Sequence, residues 1–72
     1  MSYQYRRIRD LREDEDLKQA YVAVKLHISQ QTYQRYESGE REIPVHLLVE
    51  LAELYDVSTD YLLGRTDHKR IL

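Results

Sequence analysis

Residues 19–39 read QAYVAVKLHISQQTYQRYESG, and this stretch decides the fold. Apolar residues recur at helical spacing on both sides of His27-Ile28, a link so short that it leaves room only for a tight turn. Ser29 directly after the link is a favourable helix N-cap, and Gly39 suits the left-handed turn that ends a helix. The pattern therefore predicts two helices, one over about residues 18–26 and one over residues 30–37.

The same spacing continues outward on both sides of this stretch. It predicts three further helices, from Tyr3 to Glu13, from Pro44 to about Tyr55, and from Ser58 to just before Gly64. Sustained alternation of the β-strand type does not occur. We expect an all-α, compact five-helix fold in which the two central helices form a helix-turn-helix. We assign residues 1–64 to this domain and residues 65–72 to a short C-terminal tail.

Length and composition narrow the function classes. Seventy-two residues suffice for one small domain, and without cysteine the chain has neither disulfides nor thiolate metal sites. The three histidines are too far apart for a local ligand motif, and no nucleophile–base pair or glycine-rich phosphate loop occurs. We expect no catalysis, no cofactor and no metal.

The longest apolar runs fall far short of the roughly 20 residues that cross a bilayer, and Met1-Ser2-Tyr3-Gln4 is unlike a signal peptide. We expect a cytoplasmic protein with no membrane association.

The charge is distributed unevenly along a chain whose formal net charge is −2. Residues 17–36 contain Lys18, Lys25 and Arg35 and no acid, whereas residues 37–63 contain seven acids and one arginine, Arg41. A locally positive surface on an acidic protein can bind phosphates, because charges beyond a Debye length of about 8 Å are largely screened. Ordinary scatter of surface charge is the alternative interpretation.

Several motifs in this order and spacing resemble the Cro/C1-type (XRE) family of helix-turn-helix regulators. They are Ile8-Arg9-Asp10-Leu11-Arg12, Gln19 with Val22-Ala23, Tyr36-Glu37-Ser38-Gly39, Leu48-Val49-Glu50-Leu51-Ala52 and Val57-Ser58-Thr59-Asp60-Tyr61-Leu62-Leu63-Gly64. The match spans about residues 4–66. The resemblance implies a lambda-repressor-like domain that binds double-stranded DNA, usually as a homodimer on a palindromic operator, with the helix at 30–37 in the major groove. It implies a transcriptional regulator of the repressor kind, associated with the nucleoid through its DNA.

The resemblance also implies roles for individual residues. Gln30, Gln31 and Arg35 match base-facing positions, and Thr32 and Gln34 flank them. Gln19 matches a glutamine that binds a backbone phosphate, and Arg12 and Glu37 match a structural ion pair between the first and third helices. The side-chain chemistry agrees, because a glutamine amide fits N6–H and N7 of adenine and an arginine fits O6 and N7 of guanine. One of Gln30 and Gln31 is expected to bind a base edge and the other a phosphate, and a merely solvated helix surface is the alternative interpretation. Further phosphate contacts are expected from Lys18, Lys25, Arg41 and Tyr21, although for Tyr21 plain surface is an equal alternative.

Some residues depart from the family pattern. His27 stands where glycine is usual, Lys18 replaces a Ser or Thr cap, and Glu40 and Glu42 bring negative charge to a loop expected near phosphates. These acids favour a second hypothesis, an antitoxin-like or anti-repressor protein-interaction module with weak or no DNA binding. For the homodimer we expect a surface on the fifth helix and its flanks, with Val57, Tyr61, Leu62 or the terminal Ile71-Leu72. A regulatory protein partner is a further expectation.

Overall fold

The structure is a computed structural model that describes residues 5–70, and this part of the chain contains five α-helices and no strand. The helices are α1 Arg6–Asp14, α2 Gln19–Lys25, α3 Gln30–Glu37, α4 Val45–Tyr55 and α5 Thr59–Leu62. The predicted all-α fold with five helices is confirmed. Within the described residues, none of these helices has the length and apolar character needed to cross a membrane.

The helices enclose one apolar core to which each of them contributes. Ile8 of α1, Val22 of α2, Tyr33 of α3 and Leu51 of α4 are completely buried, and Leu62 of α5 is 1% exposed. Burying side chains of this size stabilises the fold by about 1.5–3 kcal/mol each. Because Tyr33 fixes α3 to the core from one side only, the opposite side of α3 remains on the surface.

Each helix ends in the same kind of backbone turn. A residue with positive φ follows each helix, and these residues are Asp16, His27, Gly39, Asp56 and Gly64. At the end of α2, the His27 N–H donates to the Val24 carbonyl (3.1 Å) and the Ile28 N–H donates to the Ala23 carbonyl (3.0 Å). This hydrogen-bond pattern is a Schellman motif, which satisfies carbonyls that the helix itself leaves unpaired. His27, which stands where glycine is usual, adopts the left-handed conformation with φ 59°.

The helix starts follow the sequence signals closely, with two corrections. Ser29 and Ser58 act as N-caps, because their hydroxyls accept from the N–H groups of Thr32 (3.1 Å) and Tyr61 (3.0 Å). Helix α1 starts later than predicted, since Tyr5 is non-helical and its hydroxyl accepts from the Ile43 N–H (3.1 Å). The predicted start at Tyr3 lies outside the described residues. Pro44 precedes α4 instead of lying in its first turn, and its carbonyl accepts the first backbone hydrogen bonds of that helix.

The predicted tail packs back onto the domain over residues 65–70. The guanidinium of Arg7 donates to the carbonyls of Tyr61 (3.0 Å) and Thr66 and to the carboxylate of Asp67 (2.7 Å). It also lies over the Tyr61 ring, 4.2 Å from the ring centroid. Arg7 therefore holds α1, α5 and the tail together. The terminal residues Ile71-Leu72, named above as dimer candidates, lie outside the described residues.

Candidate nucleic-acid interface

The outer face of α3 carries polar side chains that have no partner in the described part of the chain. Gln30, Gln31 and Gln34 are exposed, and Arg35 is half-buried. Within residues 5–70 none of these four side chains takes part in a hydrogen bond or ion pair. Amide and guanidinium groups of this kind have their full hydrogen-bonding capacity available to a ligand.

Thr32 is placed differently from its neighbours on α3. Its backbone N–H donates to the Ser29 hydroxyl, and its own hydroxyl accepts from Ser29 Oγ at 2.8 Å. The Thr32 side chain is thus part of the cap that starts α3, and only its hydroxyl hydrogen is left to donate elsewhere.

The cations of the described chain divide into a paired and an unpaired set. Arg7, Arg9, Arg12, Arg65 and Arg70 each form a salt bridge with a carboxylate. Over residues 5–70 the cations without a carboxylate partner are Arg6, Lys18, Lys25, Arg35, Arg41 and Lys69. Four of these unpaired cations are the ones that the sequence assigned to DNA: Lys18, Lys25, Arg35 and Arg41. The uncompensated positive charge is thus concentrated on and beside α2 and α3.

Tyr21 and Lys25 lie one turn apart on the exposed side of α2. The Lys25 ammonium is 5.4 Å from the centroid of the Tyr21 ring, which is 46% exposed. An exposed cation–π contact contributes about 0.5–1 kcal/mol, and it restrains the lysine without neutralising its charge. Tyr21 therefore supports a cation on this face whether or not its own hydroxyl contacts a ligand.

A half-buried polar cluster connects α1, the start of α2 and the end of α3. It consists of Arg12, Gln19 and Glu37, and we call these residues the polar cluster. Arg12 donates to both oxygens of Glu37, from Nε at 2.9 Å and from Nη2 at 2.8 Å. Its third bond runs from Nη1 to the Leu17 carbonyl at 2.8 Å. Gln19 Nε2 donates to Glu37 Oε1 at 3.2 Å. The side chains of Arg12 and Glu37 are only 14% and 5% exposed, so this pair is largely shielded from water.

The ionisation states of the polar cluster follow from these contacts. Burial alone would raise the pKa of Glu37, but the hydrogen bonds from Arg12 and Gln19 favour the carboxylate and lower this pKa. The hydrogen bond to Glu37 outweighs burial and raises the pKa of Arg12. Burial and the nearby Glu37 carboxylate raise the pKa of Tyr33, and burial raises the pKa of Tyr55 to about 12. The two tyrosines are neutral and the ion pair is fully charged at neutral pH.

A surface cleft of about 200 Å³ lies beside the polar cluster. It is lined by Arg9, Arg12, Gln19, Gln34, Glu37 and Ser38. The start of α2 and the outer face of α3 therefore adjoin one another at this cleft. Gln19, which the sequence assigned to phosphate, and Gln34, which it assigned to bases, line the same surface.

The match to a known family covers most of the chain. A helix-turn-helix family model (HTH_3) matches residues 8–62. The chain belongs to the Cro/C1-type helix-turn-helix family. This family assignment confirms the resemblance that the sequence motifs indicated.

Curated relatives and a solved structure agree with the family assignment. The uncharacterised HTH-type transcriptional regulator YobD of Bacillus subtilis (strain 168) is 44% identical over 61 residues, which cover 85% of this chain and 54% of that protein. The HTH-type transcriptional regulator AnsR of the same strain is 39% identical over 64 residues, covering 89% and 55%. The chain thus spans about half the length of these relatives. The crystal structure of the P22 c2 repressor protein in complex with synthetic operator 9T superposes with a TM-score of 0.79 at 26% identity, covering 92% of this chain and 100% of that one.

Sequence reasoning missed two contacts that shape this surface. Gln19 was assigned to phosphate, yet its amide also donates to Glu37, and Arg7 was not assigned to the tail at all. Glu37 lies 18 residues from Gln19 on another helix, and Asp67 lies 60 residues from Arg7. Local periodicity carries no signal for contacts of this range. An approach that first placed the helices in space would have found the first of them.

Proposed function

We propose that the protein is a sequence-specific, DNA-binding transcriptional regulator that inserts α3 into the major groove of double-stranded DNA. One observation carries the proposal: α3 is anchored by the completely buried Tyr33, while Gln30, Gln31 and Gln34 stand exposed on its other side with no partner among residues 5–70. An α-helix fits a major groove about 12 Å wide, and glutamine amides match the base edges presented there. The likeness to the P22 c2 repressor, which was solved in complex with a synthetic operator, supports DNA as the ligand of this fold.

The polar residues divide into base-reading and phosphate-binding groups. Base edges are read by Gln30 and Gln31 on the first turn of α3 and by Arg35 one turn later. Gln34 and the Thr32 hydroxyl flank these residues and belong to the same base-reading group. A good bidentate contact discriminates against a wrong base by about 1–3 kcal/mol. Phosphates are bound by the residues that flank α3, which are Lys18, Gln19, Tyr21, Lys25 and Arg41.

The functional form in this proposal is a homodimer on a palindromic operator. A single module contacts few base pairs, so specificity requires two half-sites about 34 Å apart. The structure removes one candidate from the dimer surface, because Leu62 is 1% exposed and belongs to the core. Tyr61 is partly covered by Arg7. The half-buried Val57 remains a candidate. The structure adds two apolar side chains that the sequence did not single out, Val49 and Leu63, each 41% exposed. The protein then acts as a repressor in the cytoplasm, at the nucleoid, subject to a regulatory partner.

The test is a binding-site selection on the purified protein, followed by a salt series on the selected duplex and on a mixed-sequence duplex. We expect affinity for both to fall steeply with salt, because Lys and Arg contacts to phosphate release counterions. Binding that does not respond to salt, or no binding at low salt, would instead favour a protein-interaction module.

Two substitutions separate the assigned roles. Gln31→Ala is expected to lower affinity for the selected site about 5- to 150-fold and to leave mixed-sequence binding nearly unchanged. Lys25→Ala is expected to weaken both duplexes by the same factor and to reduce the salt slope by about 1. Lys69→Ala is the control, because this lysine has no carboxylate partner among residues 5–70 and lies outside the proposed interface. Equal losses of both variants on both duplexes would contradict the assignment.

A further inference from the structure

The carboxylate of Glu37 binds two side chains at once. Its Oε1 accepts from Arg12 Nη2 (2.8 Å) and from Gln19 Nε2 (3.2 Å), and its Oε2 accepts from Arg12 Nε (2.9 Å). Because the Glu37 side chain is only 5% exposed, water competes weakly for these oxygens. Glu37 is therefore held rigidly by Arg12 and can hold Gln19 in turn.

An ionised carboxylate accepts hydrogen bonds and cannot donate them. Only the NH₂ end of the Gln19 amide can therefore face Glu37, and the amide oxygen must point the other way. The second N–H of Nε2 remains the single donor that the Gln19 side chain can offer to a ligand. A neutral amide in place of Glu37 would have the same shape but would accept either end of Gln19.

We infer that Glu37 is a positioning residue for DNA binding, which fixes the orientation of the Gln19 amide so that its free N–H meets a backbone phosphate. The inference rests on the proposed function. Arg12 contributes by holding Glu37 and by donating to the Leu17 carbonyl, which fixes the chain just before α2. Gln19, Gln34 and Glu37 line the same open cleft, so the oriented amide lies where a strand passing over α3 can reach it.

For the substitution Glu37→Gln, the loss of charge and the loss of positioning change the affinity for DNA in opposite directions. Glu37→Gln removes a negative charge from a DNA-facing cleft, and by charge alone this tightens binding to a polyanion. If Glu37 orients Gln19, the same substitution weakens binding, because the Gln19 side chain is no longer fixed before DNA arrives and must be ordered when DNA binds. We expect a loss of about three- to tenfold in affinity.

The experiment measures binding to a mixed-sequence DNA duplex by fluorescence anisotropy at low salt. The proteins are wild type, Glu37→Gln, Gln19→Ala and the double variant, at a temperature where circular dichroism shows all four folded. We expect Glu37→Gln to weaken binding in the wild-type background and to leave it unchanged or tighter in the Gln19→Ala background. Glu40→Gln is the matched control, because Glu40 is exposed and unpaired within residues 5–70. It should leave binding unchanged or tighter in both backgrounds. The inference would be overturned if Glu37→Gln changed the affinity in the same direction in the wild-type and the Gln19→Ala backgrounds.

A second measurement needs no substitution and no DNA. The side-chain amide ¹⁵N relaxation of Gln19 in the wild-type protein should show restricted motion relative to the exposed amides of Gln30 and Gln31. Equal mobility of the three amides would overturn the inference even if the Glu37 variant does not fold. A wild type that binds no duplex at low salt would refute the proposed function itself, whereas salt-dependent wild-type binding with a freely mobile Gln19 would refute this inference alone.

Discussion

Replacing Arg12 by methionine should remove the partner of a carboxylate that the fold keeps away from water. The substitution deletes two hydrogen bonds to Glu37 and one to the Leu17 carbonyl. Removing one member of a buried ion pair costs about 3–5 kcal/mol, and the 14% exposure of Arg12 reduces this to about 2–4 kcal/mol. A 72-residue domain has a total free energy of unfolding of roughly 4–10 kcal/mol. We therefore expect the midpoint of thermal unfolding to fall by about 10–30 °C.

The double variant Arg12→Met/Glu37→Leu separates the stranded charge from the lost packing. With both ionic groups replaced by apolar side chains of similar size, we expect stability within about 1 kcal/mol of wild type. Urea unfolding followed by far-ultraviolet circular dichroism measures all three proteins. A single variant that loses less than about 1 kcal/mol, or a double variant no more stable than the single one, would refute the reasoning.

The effect of Arg12→Met should also depend on pH. In the wild type the lowered pKa of Glu37 contributes stability that is fully present above the unfolded value of about 4.3 and is lost as the pH falls through the folded value. In the variant, burial without Arg12 raises the pKa of Glu37. Protonation of Glu37 at lower pH then removes the unpaired charge and restores part of the lost stability. The difference in stability between the two proteins should shrink from neutral pH towards about pH 4. A difference that is constant with pH would contradict the assignment of the penalty to Glu37.

The remaining predictions concern the ends of helices and the core. Ser29→Ala removes the N-cap of α3 and should lower the free energy of unfolding by about 1 kcal/mol in a urea titration, and an unchanged midpoint would contradict the cap. His27→Gly relieves a left-handed conformation that costs a non-glycine residue about 1–2 kcal/mol; after the greater flexibility of unfolded glycine is subtracted, we expect a gain of up to about 1 kcal/mol. Tyr55→Phe removes a buried hydroxyl that has no hydrogen-bond partner in the described part of the chain, so calorimetry should show equal or higher stability. A loss above about 1 kcal/mol would point to a partner for that hydroxyl.

The elements that sequence predicted well are those with local signals. The bounds of α3, residues 30–37, agree with the prediction because Ser29 caps one end and Gly39 turns the chain at the other. The start of α1 was wrong because Tyr5 has the apolar spacing of a helix residue, yet its hydroxyl is used as an acceptor for Ile43. The spacing of apolar residues predicts which side of the chain faces the core. It does not predict the hydrogen-bond partner of a side chain such as Tyr5.

The candidate site divides in the same way. The exposure of Gln30, Gln31 and Gln34 was predictable, because Tyr33 fixes which face of α3 is buried. The bond between Gln19 and Glu37 and the docking of the tail by Arg7 were not predictable, since both depend on how separate helices are oriented. The roles assigned to individual residues in DNA binding stay predictions, and the variants described above test them.

The shared Schellman turns make each helix boundary a local property of a few backbone hydrogen bonds. Changes to the outer residues of α3 therefore need not move its start at Ser29 or its end at Gly39. The framework can accept new side chains on that face while its register against the core is preserved. A scaffold of this kind is well suited to retargeting, in which a small set of surface substitutions redirects the protein to a different duplex without redesign of its interior.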